Sequence, residues 1–365
     1  MKLICQPADG IAPLLSAIKK AKKSVDIAIF RFDRTDLEAA LEAAAERGVK
    51  VTALIAYMNR GGEKHLRALE TRFLDAGIVV SRTADDLIRY HDKMMIVDRR
   101  TLYMLSFNFT HLDIDHSRGF GIVTKNGKFV GEAIKLFESD CVRKKYTPGT
   151  DNFVVSPVNS RKALGAFLKG AKKQILIYDP EISDKEMMKI LQERGKSGVE
   201  VRIIGHTAKS LGLPVAKLTR IRLHTRTILR DGSQAFVGSQ SLRKAELDQR
   251  RELGLIIREQ KIVKTLIESF EEDWESTDVA KDIESGKKAP PEVAKKDADK
   301  ATRVLQKELS PLAASVKRAV KKVVASAGEE VMADKRVKST VKKMMKKAIK
   351  QAVKEAVEDG EKAAK

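Results

Sequence analysis

Cysteine is almost absent from this sequence: Cys5 and Cys141 are the only two in 365 residues. Two thiols build no disulfide framework, and neither sits in a CxxC or Cys/His spacing that would hold zinc, so a reducing cytoplasm is the default compartment. Long apolar runs are missing too. None reaches the roughly 18 residues of a membrane-spanning helix, and the amino terminus is broken by Pro and Asp before any leader-length stretch, so neither a secretory leader nor a spanning segment is expected. Aromatic residues make up 5% of the chain, and none follows Trp274. Acidic residues are outnumbered, 50 Asp and Glu against 71 Lys and Arg, giving a formal charge of +21. That excess favours anionic partners, an anionic membrane surface or nucleic acid, without choosing between them. With 42% hydrophobic residues the chain has enough apolar side chain for a sizeable core.

What is present is an internal repeat, which dictates architecture before any local reading does. Ala21-Lys22-Lys23 and the strand-like Val25 to Phe30 recur as Ala171-Lys172-Lys173 and Ile175 to Tyr178, and Gly48 to Val51 recurs as Gly198 to Val201, an offset of 150. Farther on the offset is 133, pairing His91 with His224, Asp98 with Asp231, Ser106 with Ser239, Arg118 with Arg251 and Phe137 with Phe270. The second copy is therefore shorter by 17 residues, the difference between the two offsets. Each copy alternates strand and helix. Thr35 and Glu38 fit a capping box before a helix with Leu37, Leu41 and Ala44 on one face and Gly48 at its stop, and Ser183, Glu186 and Gly198 repeat it. Apolar strands are expected at Val49 to Ala56, Val199 to Gly205, Met94 to Val97 and Leu253 to Ile257.

The sequence thus predicts an α/β protein of two tandem α/β sandwich repeats, residues 1–150 and 151–279, packed about a pseudo-twofold axis, and a Lys/Ala-rich basic tail, 280–365. The tail carries about 23 basic and 13 acidic residues, half of the net charge. Beyond a linker at Pro290-Pro291, Leu312, Val316, Val320 and Val323, then Val337, Val341, Met345, Ile349 and Val353, recur at the spacing of basic amphipathic helices.

Each copy also carries a chemical constellation. The first is His91-Asp92-Lys93 through Asp98, then Ser106 and Asn108; the second is His224-Thr225-Arg226 through Asp231, then Ser239 and Ser241. On a strand, residues two apart share a face, so His91 would project with Lys93 and His224 with Arg226. A phosphodiester is a poor, negatively charged electrophile whose displacement requires a nucleophile, a proton donor for the leaving oxygen and cations on the non-bridging oxygens. Two imidazoles and two cations meet that requirement without a metal or other cofactor. Ser106, Asn108, Ser239 and Ser241 can add neutral hydrogen bonds to a bound phosphate.

Both blocks resemble the HxKxxxxD signature of the phospholipase D superfamily, and the resemblance covers residues 8 to 277. It includes phospholipase D-like and cardiolipin synthase-like proteins and, around the first motif, the small bacterial nucleases of the superfamily. It implies one active site at the repeat interface and makes Asp98 and Asp231 supports of the motif loop rather than catalysts. Copy one has Gly119 where the family often carries the carboxylate that orients its His, which puts the orientation of His91 in question; Asp113 and Asp115 are candidates to replace it. Copy two keeps that carboxylate as Glu252 but has Arg226 for Lys and Ser241 for Asn.

The function expected is a metal-independent phosphodiesterase of phospholipase D type, hydrolysing or transferring the phosphatidyl group of phospholipids through a phosphohistidine on His91. The alternatives are a nuclease acting by the same chemistry, or a non-catalytic polyanion tether. A monomer with a pseudo-dimeric core is expected, cytoplasmic or peripheral at a membrane. The remaining histidines read as bland: His65 on a solvated helix, His206 at a strand end, and His111 and His116 in a loop near the pocket mouth, matching no zinc spacing. Phe107, Phe109 and Trp274 read as core.

Overall fold

Val25 to Ile29 and Ile175 to Tyr178 are buried almost throughout, as strands covered on both faces must be, and each pairs in parallel with the apolar strand that follows its helix. The computed structural model describes residues 1–59 and 62–277. The residues assigned to the basic tail, with its two expected helices, lie outside the described residues.

The first repeat runs β1 (Lys2–Gln6), α1 (Ala12–Lys20), β2 (Ser24–Ile29), α2 (Thr35–Glu46), β3 (Lys50–Ile55), α3 (Glu63–Asp75), β4 (Val79–Arg82), β5 (Arg89–Tyr90), β6 (Met94–Val97), β7 (Thr101–Leu105), α4 (His111–Asp115), β8 (Ser117–Thr124) and α5 (Gly127–Cys141). The second runs β9 (Phe153–Ser156), α6 (Ser160–Lys169), β10 (Gln174–Ile182), α7 (Lys185–Lys196), β11 (Glu200–Thr207), β12 (Val215–Ala216), β13 (Arg222–Leu223), β14 (Arg226–Arg230), β15 (Gln234–Gly238), α8 (Lys244–Asp248), β16 (Arg250–Ile257) and α9 (Gln260–Glu275).

The two sheets share one topology. The first is ordered β1-β8-β7-β6-β2-β3-β4, and the second follows the same path as β9-β16-β15-β14-β10-β11-β12. The drop in offset maps onto α3, whose 13 residues have no helical counterpart between β11 and β12. Two short strands change sides: β5 pairs with β16 of the second repeat, and β13 with β8 of the first.

Gly48 and Gly198 close α2 and α7 at φ +81° and +83°, a conformation that favours glycine. The expected capping boxes are not formed. α2 begins at Thr35 itself, with Arg34 at the cap and no side-chain cap bond, because Asp36 takes the Leu37 amide and the Arg34 guanidinium. At α7 the cap is Asp184, not Ser183, and it accepts the amides of Glu186 and Met187.

Between the sheets lies a shared core in which α5 contributes Leu136 and Phe137 and α9 contributes Leu266, Phe270 and Trp274. Tyr178 joins the halves, 5.8 Å from the Phe120 ring and 5.0 Å from Phe270. Separate apolar clusters lie under α1 to α3 and under α6 and α7. Each large side chain so buried contributes about 1.5–3 kcal/mol. Phe107, Phe109 and Trp274 are core residues, as expected. Among the described residues no helix is long and apolar enough to cross a membrane.

Candidate active site

The exchange of short strands sets the site. After β5 has paired with β16, the His91 amide donates to the Arg251 carbonyl at 2.7 Å; after β13 has paired with β8, the Thr225 amide donates to the Arg118 carbonyl at 2.9 Å. Each HxK-type segment is therefore threaded along the last strand of the other repeat. Reciprocal ion pairs, the first buried and the second partly so, hold the threads: Arg251 grips Asp140 of α5 through two hydrogen bonds, and Arg118 grips Asp273 of α9 in the same way. Such forked guanidinium–carboxylate contacts fix orientation as well as distance.

His91 and Lys93 do not lie on a strand as the alternation suggested. They occupy the link between β5 and β6, while Arg226 opens β14 and His224 precedes it. The shared facing survives because each cation turns back on its own histidine: the Lys93 ammonium donates to the His91 carbonyl, and the Arg226 guanidinium to the His224 carbonyl at 2.6 Å. Arg226 Nε also donates to Ser241 Oγ at 3.2 Å. The charges of Lys93, Arg226 and His224 all lower the proton affinity of His91, so the two motifs lie near one another. His91 and His224 keep only 7% and 6% of their surface exposed. Beside Arg222 opens a cavity of about 490 Å³, which Asp115, His116 and Arg220 also line.

The carboxylates are placed otherwise than the sequence suggested. Glu252 does not serve His224; its Oε2 lies 2.8 Å from His91 Nδ1, across the repeat interface. The histidine whose partner is missing is therefore His224, not His91. Asp113 approaches it instead, with Oδ2 3.0 Å from His224 Nε2, an ion-pair distance at which the N–H is not yet aligned as a hydrogen bond. Asp115 pairs with Arg34 and His111 rather than with His91 or His224. Phe30 packs its ring edge-on to His91 at 4.5 Å, where the second repeat has Pro180.

The remaining residues divide cleanly. Ser106 Oγ accepts the Phe120 amide and Ser239 Oγ the Leu253 amide, so both hydroxyls already brace a neighbouring strand. Asn108 donates its backbone and side-chain amides to Asp113, and Ser241 donates its backbone amide to Glu246. Asp98 and Asp231 stand away from the histidines. Both adopt positive φ, and they accept the amides of Lys22, Lys23 and Ser24 and of Lys172, Lys173 and Gln174. His65 and His206 are exposed; His111 and His116 sit on and beside the short helix α4 rather than in a loop. Asp113, a candidate partner of His91 from sequence, faces His224 instead, and Phe30 against His91 and Arg222 on Asp113 carried no sequence signal, since these contacts depend on the strand exchange.

Burial dominates the electrostatics. It pushes His91 well below the usual imidazole range, helped by Lys93 and Arg226, and lowers His224 to about 4 against the pull of Asp113. It lowers Lys93 to about 7, partly offset by Glu252, and pushes Glu252 well above the usual carboxylate range. Asp113 moves the other way: burial is outweighed by His224 and the Asn108 amides, which hold it well below that range. Two imidazoles neutral at rest, two cations and two carboxylates of opposite tendency can bind a phosphodiester and divide attack from proton donation. Among the described residues no group of three or more His, Cys, Asp or Glu is placed to hold a metal ion.

Known proteins resemble this chain in sequence and in fold. The family described as cardiolipin synthase, PLD-like domain, matches residues 14–141 and 164–274. A human protein, mitochondrial cardiolipin hydrolase, is 30% identical over 131 residues, 35% of this chain and 50% of its own length. Among solved structures, the polyphosphate kinase of Porphyromonas gingivalis superposes with a TM-score of 0.62 at 19% identity, over 75% of this chain and 50% of that one. The phosphatidylserine synthase of Haemophilus influenzae superposes with a TM-score of 0.57 at 10% identity, over 75% and 86%. The chain thus spans about half the length of the human relative and of the kinase.

Proposed function

Because the chain belongs to the cardiolipin synthase, phospholipase D-like family, we propose that it is a phosphodiesterase of phospholipase D type whose two repeats, related by a pseudo-twofold axis, supply one active site. The observation that carries this reading is the contact between His91 Nδ1 and Glu252 across the interface. Glu252 fixes the His91 ring and leaves Nε2 to attack phosphorus, and burial keeps that nitrogen unprotonated. Lys93 and Arg226 hold the non-bridging oxygens, Arg226 through a fork that suits phosphate. His224 protonates the leaving alkoxide. The negative phosphate, drawn into a dry pocket, supplies the charge that raises its proton affinity. A phosphohistidine on His91 then passes its phosphoryl group to water or to an alcohol that His224 deprotonates.

The substrate favoured is a phospholipid, with the phosphatidyl group as the transferred half. The family description and the name of the human relative both refer to cardiolipin, and the formal charge of +21 suits an anionic membrane surface. The same charge also suits nucleic acid, so a nuclease is the second reading. The discriminating experiment incubates the purified protein, with chelator present, with phosphatidylcholine, phosphatidylglycerol, single-stranded DNA and duplex DNA. Cleavage or head-group exchange of the phospholipids is expected. Cleavage of DNA alone would make the protein a nuclease, and turnover of none would make the site a non-catalytic anchor.

A further inference from the structure

Glu252 and Gly119 occupy corresponding positions in the two repeats, 133 apart. Glu252 crosses the interface to His91, so the reciprocal side chain that would reach His224 belongs at position 119, where there is none. The space is taken: a Cβ added to Gly119 would lie 3.0 Å from the Phe107 ring. A second carboxylate arrives by another route. Asp113, on α4, is 3% exposed and held by three donors other than the imidazole. Its Oδ2 accepts the Asn108 backbone amide at 2.9 Å and the Asn108 side-chain amide at 2.6 Å, and its Oδ1 accepts Arg222 at 2.7 Å. The same Oδ2 stands 3.0 Å from His224 Nε2.

The corresponding residue of the second repeat, Glu246, is spent differently. It accepts the Ser241 amide at 2.7 Å and Arg250 at 3.0 Å, with Arg243 and Arg226 at 3.9 and 4.0 Å, while His91 already has Glu252. One chain position thus serves as an arginine anchor in one half and faces a histidine in the other.

We propose that Asp113 is the positioning residue of the general acid His224, standing in for the carboxylate that the first repeat lacks at Gly119. The proposal rests on the phosphodiesterase reading above and deepens it. Asp113 lies at ion-pair distance from Nε2, so in the imidazolium the Nε2–H is the one the carboxylate takes up and Nδ1 carries the working proton. In the first step the bond from phosphorus to the leaving oxygen breaks as His91 Nε2 bonds to phosphorus, and the Nδ1 proton passes to that oxygen. In the second, Nδ1 takes a proton from the attacking water or alcohol as the His91–phosphorus bond breaks. Arg222 and Asn108 fix the carboxylate; Asn at this position keeps one acceptor oxygen for one of them and loses the charge that supports the imidazolium, while Glu keeps both acceptors.

The test compares the full-length protein with Asp113→Asn and Asp113→Glu on two soluble phosphodiesters, one with an alkyl leaving group and one with p-nitrophenol, which departs without protonation. With the alkyl substrate Asp113→Asn should lower kcat about 10²- to 10⁴-fold with little change in KM, and Asp113→Glu should recover part of the loss. With the p-nitrophenyl substrate the first turnover should fall less than about tenfold. Equal losses on both substrates, or no loss on either, would overturn the proposal. If the unsubstituted protein cleaves neither, the phosphodiesterase reading fails by itself, and ring-nitrogen NMR of His224 decides the contact. Asp113→Asn should lower the His224 pKa and deplete the Nε2–H tautomer; unchanged ring signals would refute the contact.

Discussion

His91 of the first repeat is oriented by Glu252 of the second, Nδ1 to Oε2 at 2.8 Å. Neither repeat contains that pair alone. Glu252→Gln keeps the shape but cannot stabilise a positively charged imidazole, so kcat should fall about 10²- to 10⁴-fold with folding intact. Steady-state kinetics with a circular-dichroism check measures this. A kcat within about threefold of the unsubstituted protein would detach Glu252 from the chemistry.

The pH profile follows from four shifted groups. His91 must be neutral to attack, and its depressed pKa keeps it so well below pH 6.5. His224, lowered to about 4, loses its proton as pH rises, and Lys93, lowered to about 7, follows. His224 and Lys93 must be protonated while Glu252, raised by burial, must be ionised, so kcat/KM should fall at acid pH as Glu252 protonates, fall again as pH rises and steepen above about 7. Lys93→Arg should abolish the steepening, because a guanidinium stays charged. A profile flat from pH 5 to 9 would contradict these assignments.

Asp98 and Asp231 should matter for folding and not for turnover. Each carboxylate accepts backbone amides at the start of β2 or β10. Asp98→Ala or Asp231→Ala should cost about 1–3 kcal/mol in denaturant unfolding while leaving kcat of the folded fraction unchanged. Burial raises each carboxyl but the amides outweigh it and leave the pKa lowered. Their stabilisation is therefore present above the ordinary carboxylate pKa and lost as pH falls through the depressed one. A stable but inactive variant would assign them a catalytic part.

The duplication and the β6 strand were legible in the sequence, because offsets of 150 and 133 align residues of like chemistry, whereas the supporting role of Asp98 and Asp231 was implied only by the family resemblance. The partner of each histidine was not legible. Sequence alignment pairs Glu252 with Gly119 but is silent on which imidazole either one faces, and the answer turns on β5 and β13, two residues each, joining the opposite sheet. The capping boxes failed for a local reason: Asp184 competes better for the free amides one residue beyond Ser183.

The basic tail can be tested on its charge alone. Removing residues 280–365 takes away a net charge of about +10 and should weaken action on anionic vesicles at low salt, the difference shrinking at high salt. Cleavage of a small soluble phosphodiester should be unaltered, because every residue of the candidate site precedes Trp274. Equal loss on the soluble substrate would place the tail in the catalytic core.

The most direct measurement uses His224→Ala with a p-nitrophenyl phosphodiester. Departure of p-nitrophenol needs no acid, but release of the phosphoryl group from His91 needs the missing base, so the covalent species should accumulate. One equivalent of p-nitrophenol per chain should appear in a burst, and peptide mapping at neutral or alkaline pH should find the phosphoryl group on His91. Sustained turnover without a burst in this variant, or a phosphoryl group trapped on His224 in His91→Ala, would contradict a single site in which His91 attacks and His224 carries the proton.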